Sequence, residues 1–183
     1  ISASVRDGGD AVDPLTVFLS GVVKFLLATP LSYWLRNNAW PYWPMIQTAH
    51  LFGMTLLIGA VGLFDLRVLG LAKSIPPKAL HKLIPFGVAG FLINVATGTL
   101  FFIGNPDQYA YNFAFRLKLA AMALAGLNLL LFYGTAYRAV EMVPAGGDAP
   151  LRAKVMTGVS LFSWTAVIVC ARILTWFRPV YFG

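Results

Sequence analysis

The 183-residue chain holds two histidines, one cysteine and seven carboxylates, so few positions can carry acid–base or metal chemistry. His50 stands out among them. It lies about two turns inside the apolar stretch WPYWPMIQTAHLFGMTLLIGAVGLFDLRVLGLAK, which runs from Trp40 to Lys73. At 100° per residue it shares a helix face with Gln47, Met54, Leu57, Val61 and, less closely, Asp65. Three readings are open for an imidazole in that place. It is a neutral ring hydrogen-bonded to a neighbouring helix, or an axial ligand to a porphyrin or chlorin, or a group in proton or quinone chemistry.

The second histidine does not complete a bis-histidine haem. His81 starts the next apolar run from the opposite surface, about 20 Å from His50 at 1.5 Å per residue. A tetrapyrrole on His50 is therefore expected to be five-coordinate or to take a sulfur from another helix. Met122 is the best candidate, because Met45 and Met54 share the helix of His50. His81 itself reads as an interfacial residue. The only metal role expected of His50 is as such an axial ligand, since Cys170 alone builds neither a zinc nor an iron–sulfur site.

Lys118 and Arg172 fall at the depth of His50, and cations there must snorkel or face a polar cavity. The three together suggest an outward-opening pocket for an anionic or quinone-like headgroup, with no carboxylate in that layer to pair the cations. Arg116 points about 160° away from Lys118 on the same helix. Toward the other surface, Asp65 and Arg67 are two residues apart and cannot face each other. Arg138 is the expected partner for Asp65 and Glu141 for Arg67, giving a structural ion-pair lock. Asn94 and Asn128 fall at similar depth and are expected to share an interhelical hydrogen bond worth about 0.6 kcal/mol. No nucleophile–base pair, phosphate-binding glycine loop or metalloprotease motif is present, so no catalytic residue is assigned and an autonomous enzyme is not expected.

Membrane helices must position these groups. The chain is 58% hydrophobic and 11% charged, against about 25% charged in soluble domains. Apolar runs at about 43–64, 84–104, 113–135 and 155–177 each cross a hydrocarbon core of about 30 Å. Alternating ten-residue segments, the mark of a closed barrel, are missing. The expected fold is an all-α integral membrane protein, a four-transmembrane-helix bundle over 41–183. Residues 14–40 read as short interfacial amphipathic helices, with Trp34, Trp40 and Trp43 near the headgroups. Residues 1–13 read as a flexible polar lead-in without a signal-peptide core, and the start at Ile1 leaves room for an upstream segment.

The net charge of +7 does not point to nucleic acid, because the cations sit at the ends of apolar runs, where they serve topology and lipid headgroups. Arg67, Lys73, Lys78, Lys82, Arg138, Arg152 and Lys154 collect on one side. Arg36, Arg116 and Arg178 lie on the other. The first side is expected to be cytoplasmic, with both termini periplasmic.

The strings TPLSYWLRNNAWPYWPMIQTAHLFGMTLLIGAVGLFDLRVLGLA, LIPFGVAGFLINVATGTLFFI and NFAFRLKLAAMALAGLNLLLFY resemble a family of uncharacterised small four-helix inner-membrane proteins of bacteria, over about residues 29–177. His50 to Gly53 (His-Leu-x-Gly), Asp65 to Arg67 (Asp-Leu-Arg), Phe115 and Lys118 carry the likeness. More remotely the chain is similar to copper-resistance membrane proteins of the D type. Tyr133 stands where such a relative would be expected to have a histidine, a departure that undercuts any two-histidine site carried over from relatives. The resemblance implies a bacterial inner-membrane location.

The leading expectation is a non-enzymatic accessory or scaffold subunit of a larger inner-membrane complex, contacting lipid, pigment or other membrane subunits. The alternative is an electron-transfer protein that binds b-type haem through His50, or a quinone near the periplasmic face. A transporter is disfavoured by the lack of a broken helix or inverted repeat.

Overall fold

Prolines and polar caps set the helix starts. In the computed structural model, which describes residues 14–174 and 176, the described elements are all helices: α1 Pro14–Leu27, α2 Pro30–Asn37, α3 Ala39–Leu69, α4 Pro77–His81, α5 Ile84–Gly104, α6 Pro106–Ala110, α7 Phe113–Thr135, α8 Tyr137–Glu141 and α9 Leu151–Ile173. Pro30, Pro77 and Pro106 open their helices at the position where a missing N–H costs nothing. Thr29 caps α2 by accepting from the Ser32 amide at 3.3 Å. Asn112 caps α7 by accepting from the Ala114 amide at 2.9 Å. At its far end α3 closes on Gly70, whose φ of 110° only glycine adopts freely, and the Leu71 amide reaches back to the Leu66 carbonyl at 3.0 Å. The expected lead-in, and Arg178, lie outside the described residues.

Four helical stretches are long and apolar enough to cross a bilayer: α3, Pro77–Gly104 (α4 with α5), α7 and α9. The chain is thus a multi-pass, all-α membrane protein. Its fourth span starts at Leu151, a turn before the expected 155, because Pro150 with its extended backbone starts the helix there. Between α1 and α2 the chain bends by 70°, and Arg36 spans the bend by donating to the Leu27 carbonyl at 3.3 Å. α2 rests on the end of α5, and α1 on α6. The end carrying α2 and α6 is termed outer, following the expectation from the cation count, and the end carrying α4 and α8 inner.

Two antiparallel pairs make the bundle, α3 with α5 and α7 with α9, joined along α3 and α9. Glycines let α3 and α5 approach closely. A Cβ on Gly53 would fall 2.8 Å from the Gly90 carbonyl oxygen, and one on Gly90 would fall 2.7 Å from the Leu57 nitrogen. Such close backbone contact is a principal source of helix association in lipid, where apolar burial gains little. At the inner end Phe64, Val68, Phe132 and Val140 form the apolar core, with Phe64 and Phe132 edge to face at 5.8 Å.

The backbones of α5 and α7, by contrast, stand apart. This corrects the expected Asn94–Asn128 hydrogen bond, because equal depth does not make neighbours of helices that stand apart. Asn128 instead donates to the Met156 carbonyl of α9 at 2.9 Å.

The inner ion-pair lock also takes another form. Arg67, 1% exposed, donates to the carbonyls of Ile75, Lys73 and Gly147. It thereby staples the α3–α4 turn to the α8–α9 loop. Glu141 pairs with Lys78 at 3.3 Å rather than with Arg67, and Arg138 points outward and forms no ion pair with Asp65. A guanidinium at a helix end finds loop carbonyls closer than a carboxylate on another helix. The α8–α9 loop is fastened again by Asp148, which pairs with Lys154 at 2.7 Å and Lys73 at 3.5 Å. The Lys154 hydrogen bond holds its carboxyl below the usual carboxylate range.

Candidate functional site

The gap between α5 and α7 opens a chamber of about 410 Å³ in the outer half of the bundle, within the size range of small-molecule sites. All four long helices line it. α3 brings His50, α5 brings Asn94 and Phe102, α7 brings Phe115, Lys118 and Met122, and α9 brings Trp164 and Ala171. Phe102 and Phe115 stack at 5.7 Å and 17° between planes, giving the chamber a flat aromatic wall. Its lining is otherwise almost wholly apolar, so the few polar groups determine what it can hold.

His50 is the best defined of these groups. Its Nδ1 lies 2.7 Å from the Thr97 hydroxyl oxygen, and that hydroxyl itself donates to the Ile93 carbonyl at 2.6 Å. A hydroxyl has one proton. When that proton goes to Ile93, Thr97 accepts from His50, and in this arrangement Nδ1 carries the ring hydrogen and Nε2 the lone pair; a hydroxyl turned toward Nδ1 would reverse the two. The ring is held in place by Phe101, edge-on at 5.3 Å, which in turn stacks on Trp43 at 5.6 Å. Gly98 faces the His50 Cε1, where a Cβ would make contact at 3.8 Å. A bare imidazole nitrogen, fixed by a hydrogen bond at the other nitrogen, is the arrangement of a metal-ligating histidine. It would equally accept a hydroxyl proton.

Of the residues expected at this site, His50, Lys118 and Met122 come together around the chamber. Arg172 does not line it. Its neighbour Ala171 takes the inward position, and one residue of helix rotation turns Arg172 to the exposed face. Two contributors escaped the sequence reading. Asn94, assigned there to helix packing, lines the chamber and has a buried side-chain oxygen without a hydrogen-bond partner. Thr97 is the hydrogen-bond partner of the histidine. Its signal was present, three residues beyond Asn94 and at the depth of His50, but a threonine in a span is too common to be singled out.

A second chamber, of about 310 Å³, lies in the inner half. It shares the lining residues Leu57, Phe91, Met122 and Trp164 with the outer one. Asp65 lines it, 4% exposed, with Oδ2 unpartnered and Ser160 of α9 as its polar neighbour. Tyr133 also lines it. The Tyr133 hydroxyl meets His81 Nε2 at 2.9 Å, and the Tyr137 hydroxyl meets His81 Nδ1 at 3.3 Å. His81 is therefore more than the interfacial residue expected. Burial, and then the charge of Glu141, push the Tyr137 phenol above its ordinary value, so it stays protonated at neutral pH.

Among the described residues no group of three His, Cys, Asp or Glu side chains could hold a metal ion. A metal at His50 would therefore have to arrive within an organic ligand. Comparison of the chain with protein-family models, with curated proteins and with solved structures gives no match.

Proposed function

We propose that the protein is a bacterial inner-membrane subunit whose outer chamber would hold one flat, conjugated cofactor, a b-type haem, through His50 Nε2. One observation carries this reading. Thr97 lies within hydrogen-bond distance of both His50 Nδ1 and the Ile93 carbonyl, a geometry that supports an Nδ1-protonated ring whose Nε2 lone pair is free in an aromatic-walled cavity. Lys118 would pair with a propionate, and Met122 supplies the one sulfur on another helix that lines the same chamber. The bound group would provide one-electron chemistry. The chain's own part is to orient the imidazole, to exclude water with Phe102, Phe115 and Trp164, and to place a cation beside the group's anionic edge. The resemblance to small four-helix inner-membrane proteins supports the location, and the cation count supports periplasmic termini.

The carrier reading is compatible with a role as an accessory subunit. The interfacial segment formed by α1 and α2 exposes Phe18, Phe25, Tyr33 and Trp34, a surface suited to lipid headgroups or to other membrane subunits.

Haem content decides the matter. Protein purified in mild detergent from haem-replete cells is expected to show a Soret band and to yield protohaem on extraction, and His50→Ala to lose both while remaining folded. A colourless wild-type protein would overturn the haem reading. A lipid-extractable quinone recovered from that colourless protein would assign the chamber to a quinone instead, with Lys118 donating to a carbonyl oxygen. Crosslinking in native membranes tests the accessory role, which a lone uncrosslinked chain would contradict.

A further inference from the structure

Asp65 is a carboxyl group in an apolar environment, with an oxygen that nothing in the structure satisfies. No described lysine or arginine pairs with it, and an ionised carboxylate left alone among helices is strongly disfavoured. The groups that face its chamber are Tyr133 and Asn128 from α7 and Thr157 and Ser160 from α9. The α5 side of the chamber contributes only apolar side chains and a glycine, among them Ile84, Gly87 and Val88. Asn128 is committed to the Met156 carbonyl and Thr157 to the Ala153 carbonyl. Tyr133 is different, because it leads out of the chamber. Its hydroxyl meets His81 of α4, and His81 meets Tyr137 of α8. The Lys78–Glu141 pair stands beyond, at the water end. On the opposite side the chamber is lined by Leu57, Phe91, Met122 and Trp164, which also line the outer chamber, so the polar contacts of this site lead toward His81 rather than toward His50.

We infer that the inner chamber is a proton-binding site, in which Asp65 is held as a carboxylic acid and exchanges its proton with the inner aqueous face through Tyr133 and His81. In the uptake direction the His81 ring takes a proton from water at the Tyr137 side through Nδ1 and releases one through Nε2 to the Tyr133 oxygen. Tyr133 passes its own hydroxyl proton into the chamber, which is roomy enough for a water molecule. There the carboxylate of Asp65 becomes a carboxylic acid. One proton leaves the water, one is gained by Asp65, and both relay groups end neutral. The site requires no occupant in the outer chamber.

The test is infrared spectroscopy of the protein reconstituted in liposomes, with carbon-13-labelled aspartate identifying the carboxyl stretch. The wild-type protein is expected to show a protonated-carboxyl C=O band at neutral pH that shifts in heavy water, and Asp65→Asn to lack it while melting like the wild type. Tyr133→Phe and His81→Gln are expected to keep the band but to slow its hydrogen–deuterium shift by about tenfold or more. Absence of the band in a folded wild-type protein, or its loss on adding sodium, would overturn the proton site. An exchange rate unchanged in both relay variants would overturn the relay.

Discussion

Replacing Thr97 with valine isolates the hydrogen bond on which the haem reading rests. Valine keeps the shape of threonine and loses only the hydroxyl. The Ile93 carbonyl keeps its helical partner four residues on, so the loss from that side is small. His50 Nδ1–H, by contrast, loses its 2.7 Å acceptor in a half-buried position, at a cost of about 1–3 kcal/mol if no other acceptor is found. The ring can relieve part of that cost by moving its proton to Nε2, which is the nitrogen the ligand needs. Thr97→Val is therefore expected to weaken haem binding by about 10-fold to 100-fold, the usual effect of removing a partner behind a metal-ligating histidine. Haem titration of the cofactor-free protein, followed at the Soret band, measures this, and a thermal melt checks the fold. Unchanged affinity in a protein of unchanged stability would refute the argument that Thr97 fixes the ligand nitrogen.

Gly90→Ala is expected to force α3 and α5 apart and to destabilise the bundle by about 1–3 kcal/mol, because its Cβ would meet the Leu57 nitrogen at 2.7 Å. Gly59→Ala, with nothing within 4 Å, is the matched control and should be neutral in the same detergent-unfolding assay. Arg67→Met removes the donors to Ile75, Lys73 and Gly147 and should cost about 3 kcal/mol or more, read as a lower melting temperature together with faster proteolysis of the α8–α9 loop. Asp148 is depressed in the folded state chiefly by its Lys154 hydrogen bond, so its contribution is present above the unfolded carboxylate pKa and is lost as pH falls through the lower folded value. Acidification should speed exchange of the Gly146 amide, which bonds the Lys73 carbonyl, relative to Asp148→Asn at each pH, and equal rates in the two proteins throughout would count against it.

The spans were legible because an apolar run of about 20 residues admits few other structures. Which helices become neighbours was not. Depth can be counted along a sequence, but lateral order cannot, and this is why Asn94 and Asn128 were joined across two helices that stand apart. The same limit separated Arg172 from His50, since one residue of rotation decides whether a side chain lines a chamber or leaves it. Arg67 was recognised as structural, yet its partners are backbone carbonyls, which every residue carries and no pattern marks. Thr97 and the His81–Tyr133 contact were hidden for a related reason: each joins residues about fifty positions apart whose types are individually ordinary.

The central claim is that His50 is held with its proton on Nδ1 and its lone pair on Nε2, ready for a ligand. Nitrogen-15 solid-state NMR of histidine-labelled, cofactor-free protein in lipid bilayers tests this directly, with His81→Gln leaving a single imidazole. The account expects a protonated Nδ1 and an unprotonated Nε2 whose signal is displaced when haem is added. A ring protonated at Nε2, or an Nε2 signal indifferent to haem, would contradict it.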